Sequence, residues 1–280
     1  ADLAIVLGAG FNERTSYVWD KKLLAGKKLI QVDNNAQQLQ KVFRADLALQ
    51  ADLGAYLGAL DAAIRQQDIP ARAPVDVAGF ITAAQQEIDD AGERIFNRQF
   101  DHVRAFYRWL EQQFPEGLVM FDDNIVFAQN FYRVSGRDRF CPNTGISSLG
   151  HAIPAAIGAA CATGKPLFAM IGDGGFHMCA MEIMTAVNYE FALNVVLFNN
   201  DTMGLIRKNQ HQHYNDRFID CDFTNPDFAT FAQSFGINHA RIENERDLAD
   251  LAGRMDLHNG INLIEIIIDQ DAYPNYSSRR

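Results

Sequence analysis

The chain has 280 residues, enough for one large or two ordinary domains, each with its own core. A hydrophobic content of 48% with 21% charged residues excludes a disordered chain. A formal net charge of −10 argues against a nucleic-acid surface, which needs basic patches, although local anion sites built from backbone N–H groups stay possible.

Residues 3–7, LAIVL, form a continuous apolar run leading into Gly8 and Gly10, the pattern of a buried parallel strand. KKLIQVD (27–33) reads as a second strand ending in an acid, and 36–44 and 52–66 as helices. The block is too small for a whole doubly wound domain and reads as the end of one. Residues 68–97, with two prolines in DIPARAPVD, read as a polar linker with some helix. Phe100, Val103, Tyr107 and Leu110 recur at helical spacing, which predicts an amphipathic helix over 100–113. GLVMFDD (117–123) reads as a strand. HAIPAAIGAACAT (151–163) reads as a small-residue helix able to pack closely against a neighbour.

PLFAMIGDG, NVVLFNN and NLIEIII supply three more buried strands. Asn225 and Asn244 are expected helix caps, with Pro226 in the first turn after Asn225 and Gly236 past that helix's end. Strands alternating with helices predict an α/β fold of parallel sheets flanked by helices. The domain boundaries expected are 1–67, a linker at 68–97, and 98–280. The four cysteines, Cys141, Cys161, Cys179 and Cys221, show no C-x-x-C pair or zinc spacing and are expected as reduced, mostly buried thiols. No signal peptide and no apolar run near the roughly 18–20 residues of a membrane span is visible. A cytoplasmic protein is expected. The chain opens directly on a strand without methionine, which suggests a start inside a larger gene product.

In open parallel sheets, ligands sit at the carboxyl ends of strands, where Asp122, Asp173 and Asn200 fall. Gly172, Gly174 and Gly175 leave the backbone bare around Asp173, so a diphosphate can approach the N–H groups there. With no lysine nearby in sequence, a divalent ion is the natural counter-charge. Mg²⁺ takes hard oxygen ligands. Asp173 offers a carboxylate, Asn200 an amide oxygen, and Thr202 a backbone carbonyl.

Gly172-Asp173-Gly174 is separated by 24 residues (175–198) from Asn199-Asn200, room for one helix and one strand that return the two tips side by side. This arrangement resembles the signature of the thiamine diphosphate enzymes. The upstream NTGISSLGHAIPAAIGAA (143–160) is similar to the corresponding segment of the acetolactate synthase group. The resemblance implies thiamine diphosphate and Mg²⁺, with Asp173, Asn200 and the Thr202 carbonyl as metal ligands. It implies cofactor contacts from Gly172, Gly174, Gly175, Asn200, Gly204 and Ser148. Leu149, before Gly150, would prop the cofactor in its bent form. His151 and His177 are the acid–base candidates nearest these turns; a structural role is the other reading of each.

The resemblance covers nearly the whole chain: residues 1–67 look like the C-terminal part of a middle domain, and 98–280 like the diphosphate-binding domain. A pyrimidine-binding domain, which carries the family's essential glutamate, has no match here. Another chain or fragment would supply it, in a dimer or tetramer. Glu182 reads as structural. The implied activity is decarboxylation of a pyruvate-type 2-oxo acid and transfer of the remaining carbanion equivalent to an acceptor. A cofactor-binding module without catalysis is the reading from a different class.

Two departures qualify the resemblance. Where acetolactate synthases carry a tryptophan nine residues past the metal asparagine, this chain has Asn209. The run is polar, with Arg207, Lys208, His211 and His213 grouped. It reads either as a pocket for a polar or anionic acceptor, similar to sulfoacetaldehyde acetyltransferases, or as a solvated helix face. Members that bind FAD use a G-A-R-F-D-[DE]-R run. Here it reads Gly8-Ala9-Gly10-Phe11-Asn12-Glu13-Arg14, which lacks that arginine and one acid and weakens any expectation of FAD. The C-terminal DAYPNYSSRR lacks helix or strand patterning.

Overall fold

The computed structural model describes residues 1–12, 15–16, 18–67, 76–143, 146–163 and 165–276. The chain divides into two compact units, Ala1–Asp76 and Val77–Arg280. In the first, strands β1 (Leu3–Leu7), β2 (Lys28–Asp33) and β3 (Leu47–Gln50) form a parallel sheet in the order β1-β2-β3, followed by helix α1 (Leu53–Gln66). Asp52 caps α1 by accepting a hydrogen bond from the Ala55 N–H at 3.0 Å. Two expectations fail here. β1 is an edge strand whose Leu3, Ile5 and Leu7 stay exposed rather than buried. Residues 36–44 hold only a 3₁₀ turn at Ala36–Gln38, because the Asn35 side chain accepts from the Gln37 N–H and the Gln31 side chain from the Gln40 N–H instead. The Glu13 and Arg14 of the flavin-type run lie outside the described residues.

The second unit begins with helix α2 (Val77–Ile95), in a region expected to be mostly linker; residues 68–75 lie outside the described residues. Helix α3 (Asp101–Gln113) follows. Strand β4 (Val119–Asp122), helix α4 (Val126–Phe131), strand β5 (Arg139–Pro142), helix α5 (Ala152–Ala160) and strand β6 (Leu167–Gly172) come next. The chain continues through helices α6 (Asp173–Cys179) and α7 (Ile183–Tyr189), strand β7 (Leu193–Asn199) and helix α8 (Gly204–Tyr214). It ends with helix α9 (Phe228–Phe235), strand β8 (Asn238–Ile242), helix α10 (Leu251–Arg254) and strand β9 (Ile261–Ile267). The six strands are all parallel, in the order β5-β4-β6-β7-β9-β8. The fold is therefore α/β with parallel sheets flanked by helices. The chain runs from β4 out to β5 and then back past β4 to β6. The direction of winding thus reverses at the β4–β6 pair, where a crevice opens at the carboxyl ends.

Alternate residues of β6 and β7 send their side chains to two separate cores. Phe168, Met170, Val196 and Phe198 meet the expected α3 face of Val103, Tyr107 and Leu110, together with Phe100 and Phe106. Ala169, Ile171, Val195 and Leu197 meet Ala152, Ile153 and Ala156 of α5, Ile183 of α7 and Ala232 of α9. Fully burying each large apolar side chain contributes about 1.5–3 kcal/mol.

At the amino ends of β7, β9 and the edge strand β8, three asparagines form a row. Asn262 donates to Asn194 at 2.8 Å, and Asn238 donates to Asn262 at 2.9 Å. Asn194 donates to the carbonyls of Leu167 and Leu257. Asn244 caps the 3₁₀ turn Glu245–Leu248 through a capping box, as expected of a cap at that position. The four cysteines are unpaired; Cys179 and Cys221 are buried and Cys161 is exposed. No described helix is long and apolar enough to cross a membrane.

Candidate functional site

The β6 and β7 tips lie side by side because Gly172 pairs with Phe198 in the sheet register. Asp173, the first residue of α6, is buried beside the chain that leaves β7. Its Oδ2 accepts hydrogen bonds from the N–H groups of Asn200 (3.0 Å) and Asp201 (2.7 Å), and from the Asn225 amide (2.9 Å). Its Oδ1 accepts from the Gly174 N–H at 2.9 Å. Burial pushes the Asp173 carboxyl above its ordinary value, and the four hydrogen bonds pull against it.

The oxygens expected to hold a cation are available. No hydrogen bond from a described residue reaches the Asn200 side chain or the Thr202 carbonyl oxygen. The Thr202 hydroxyl is committed elsewhere, 2.8 Å from the Cys221 carbonyl and 2.9 Å from Asp222, so only its carbonyl is free to serve. Among the described residues, no group of three or more His, Cys, Asp or Glu side chains could hold a metal. A carboxylate, an amide oxygen and a backbone carbonyl nevertheless suit a hard, oxygen-preferring ion.

Neighbouring side chains approach the glycines beside Asp173 closely. A Cβ on Gly174 would run into the Met203 sulfur, and one on Gly175 into the Asp123 carboxylate. A Cβ on Gly204 would sit 2.8 Å from the Asn200 amide nitrogen.

The second wall comes from the loop before α5. Gly150 takes φ +83°, a conformation that strains any side-chain-bearing residue. Asp123 holds this loop. Fully buried, it accepts hydrogen bonds from the N–H groups of Gly150 (2.8 Å), His151 (2.8 Å) and Ala152 (3.2 Å). It thereby satisfies donors at the start of α5.

These elements enclose a cleft of about 320 Å³. Leu149, Gly172, Asp173, Gly174, Gly175, Asn200, Thr202 and Gly204 all line it. Ser148 does not; its neighbour Ser147 does, while the Ser148 carbonyl accepts from the Asn143 side chain. His151 and His177 are exposed and do not line the cleft, and His177 packs against Phe223. Asp122 turns away as well: it accepts from the Ile125 N–H at 2.6 Å and from Gln129 at 2.8 Å, anchoring α4.

The rest of the cleft wall is largely apolar, with Val126, Phe127, Leu205, Ile206, Ala272 and Tyr273. The basic run of α8 is absent from it. Arg207 and Lys208 are buried, so they are not a solvated face either. Arg207 bonds Asp222 (2.6 Å), Asp271 (2.9 Å) and the Tyr273 hydroxyl (2.9 Å), with Phe218 under its guanidinium. It ties α8 to the segment that supplies Ala272 and Tyr273. The Lys208 ammonium lies 4.0 Å from the centre of the Tyr276 ring, and burial lowers its pKa. His211 pairs with Asp216, and His213 is exposed. Residues 277–280 of the unpatterned tail lie outside the described residues.

Sequence reasoning missed two residues. Asp123 stands beside a more conspicuous acid. Asn225 was expected to cap α9, but Asp227 does so, accepting from Thr230 N–H at 2.6 Å. The signal was there: Asp227, not Asn225, immediately precedes the apolar run FATFA.

Asp173 and Asn200 stand on adjacent tips in a crevice at the carboxyl ends of parallel strands, where open α/β sheets bind ligands. Residues 123–266 match the family profile "Thiamine pyrophosphate enzyme, C-terminal TPP binding domain". Residues 1–60 match "Thiamine pyrophosphate enzyme, central domain". The chain belongs to the thiamine pyrophosphate enzymes.

Within that family it is similar to acetolactate synthases. It is 25% identical over 96% of its length to the mitochondrial acetolactate synthase of Schizosaccharomyces pombe, covering 42% of that protein. It is 26% identical to the large subunit of acetolactate synthase isozyme 2 of Escherichia coli, over 96% of this chain and 48% of that one. Over 52% of its length it is 32% identical to the sulfoacetaldehyde acetyltransferase of Alcaligenes xylosoxydans xylosoxydans, covering 25% of that protein. The chain thus spans less than half the length of these relatives.

Proposed function

We propose that this chain is the C-terminal part of a thiamine diphosphate-dependent 2-oxo acid decarboxylase and carboligase of the acetolactate synthase type. Residues 1–67 are the end of its middle domain, 68–97 a connection, and 98–280 its diphosphate-binding domain. The observation that carries this reading is that Leu149, Asp173, Asn200 and Thr202, drawn from three separate stretches of the chain, line one cleft. In it, Asp173, the Asn200 amide oxygen and the Thr202 carbonyl would hold Mg²⁺. Gly172, Gly174, Gly175 and Gly204 let the backbone approach the diphosphate. Leu149, on the loop fixed by Asp123, would support the cofactor. When bound, thiamine diphosphate supplies the electron sink for decarboxylation of the 2-oxo acid. Leu205, Ile206 and Ala272 give the cleft an apolar wall.

A pyrimidine-binding domain, on another segment or polypeptide, completes the site in a dimer or tetramer acting in the cytoplasm. The relatives' greater length supports the further segment. The likeness to a sulfoacetaldehyde acetyltransferase favours an anionic acceptor as the second reading. The inward pairing of Arg207 with two acids weighs against it.

A denaturing gel with intact mass identifies any chain carrying the other half. Calorimetric titration of thiamine diphosphate, with Mg²⁺ or with EDTA, then tests the site. Binding is expected only with Mg²⁺, and Asp173→Ala abolishes it. Equal, metal-independent affinity in that variant would falsify the assignment.

A further inference from the structure

Asn225 lies 52 residues beyond Asp173, in the loop before α9, yet its amide nitrogen enters the acid pair at the β6 and β7 tips. It lies 2.9 Å from Asp173 Oδ2, 2.9 Å from Asp201 Oδ1 and 2.8 Å from Asn199 Oδ1. Two hydrogens serve three acceptors, so one is shared. Turning the amide over would set its oxygen against two carboxylates and a carbonyl. The chemistry of the acceptors therefore fixes its orientation. Asn199 is oriented in turn, because its Nδ2 donates to Glu265 Oε1 at 2.6 Å. Glu265 is buried on β9, and its other oxygen lies 3.0 Å from His239 Nε2 on β8. A polar relay thus crosses three neighbouring strands and ends on Asp173.

We propose that Asn225, set by Asn199 and Glu265, is a positioning residue for the Asp173 carboxylate, fixing which oxygen meets the cation. With donors from Asn200, Asp201 and Asn225, Oδ2 is saturated. Among the described residues, Oδ1 accepts only from Gly174 and keeps a lone pair for a metal. Asn225 also places a donor between Asp173 and Asp201, whose mutual repulsion would otherwise turn the carboxylates apart. Such supporting contacts typically govern metal affinity by about 10–100-fold.

The inference rests on Asp173 being a metal ligand, and the experiment separates the two. Mn²⁺ binding is followed by electron paramagnetic resonance in the complete, cofactor-supplemented protein. The comparison set is wild type, Asp173→Ala, Asn225→Ala and Asp227→Ala, the last removing the cap of α9 from the same loop. Asn225→Ala is expected to weaken Mn²⁺ at least roughly tenfold, with cofactor binding restored by excess Mn²⁺, while Asp227→Ala keeps wild-type affinity. If Asn225→Ala does not fold, Asn225→Ser, too short to span the three acceptors, carries the same expectation. Wild-type affinity in a folded Asn225 variant, or equal weakening in Asp227→Ala, overturns the proposal. Wild type and Asp173→Ala binding Mn²⁺ alike overturns the metal-site assignment itself.

Discussion

The two faces of the six-stranded sheet are built from different materials. One is aromatic: Phe100, Phe106, Tyr107, Phe168 and Phe198 bury large rings, with Tyr107 stacked on Phe198. The other is mostly small and branched residues, with Ala152, Ala156, Ala169, Ala186 and Ala232 at its contacts and Phe176 and Phe228 as its buried rings. Large rings fill space and remove area from water, which is where stability comes from. Small residues let helices come close to the sheet. α5 approaches β4 and β6 that way, and the loop at its start carries Leu149 and Gly150 to the cleft. The aromatic face stabilises the domain; the alanine face sets distances.

That division can be broken at several points. Phe106→Ala should give the largest effect, about 3–5 kcal/mol of stability in denaturant unfolding. Cofactor affinity of the folded protein should stay unchanged; a parallel fall would show that the faces are not separable. Ala156→Leu, a forced insertion on the other side, should cost about 1–3 kcal/mol. It should also weaken cofactor binding in calorimetry, because α5 is pushed off the sheet. Gly175→Ala should cost about 1 kcal/mol. Its new methyl meets the Asp123 carboxylate, a cost partly offset by the roughly 0.5–1 kcal/mol by which alanine outdoes glycine in a helix.

The smallest expected effect is a pH dependence. Burial pushes the Glu265 carboxyl up. Hydrogen bonds from His239 and Asn199, with the nearby Arg241, outweigh that and leave it below its ordinary value. A depressed folded value means the contribution is present above the unfolded pKa and is lost as pH falls through the folded one. Wild type should therefore lose stability below about pH 4.5 more steeply than Glu265→Gln. Parallel acid limbs in thermal unfolding would show that Glu265 contributes nothing there.

Much of the site was legible because its residues announce themselves locally. Glycines flanking an acid at one strand end, and asparagines at the next, need only a count of the spacing. Asp123 and Asn225 were not legible, since each acts on a partner 27 or more residues away and nothing nearby marks it. The basic run on α8 was misleading for the opposite reason. Charge in a helix suggests water, but Asp222 and Asp271 bring Arg207 inside from remote positions. The α3 face was predicted from its period alone. Exposure of β1 was not, because an apolar run reads the same at a sheet edge as at its centre.

The asparagine row at the amino ends of β7, β9 and β8 has a consequence for assembly. Parallel strands of valine, leucine and isoleucine can slide past one another by two residues and still bury the same kind of surface. A slip by two at Asn194 or Asn262 would strand amide groups in the core, each costing roughly 1–3 kcal/mol. The row therefore discards misaligned sheets during folding. What it protects is at the other end of the strands: a two-residue slip of β7 would deliver Phe198 or Thr202 to the place where Asn200 must stand.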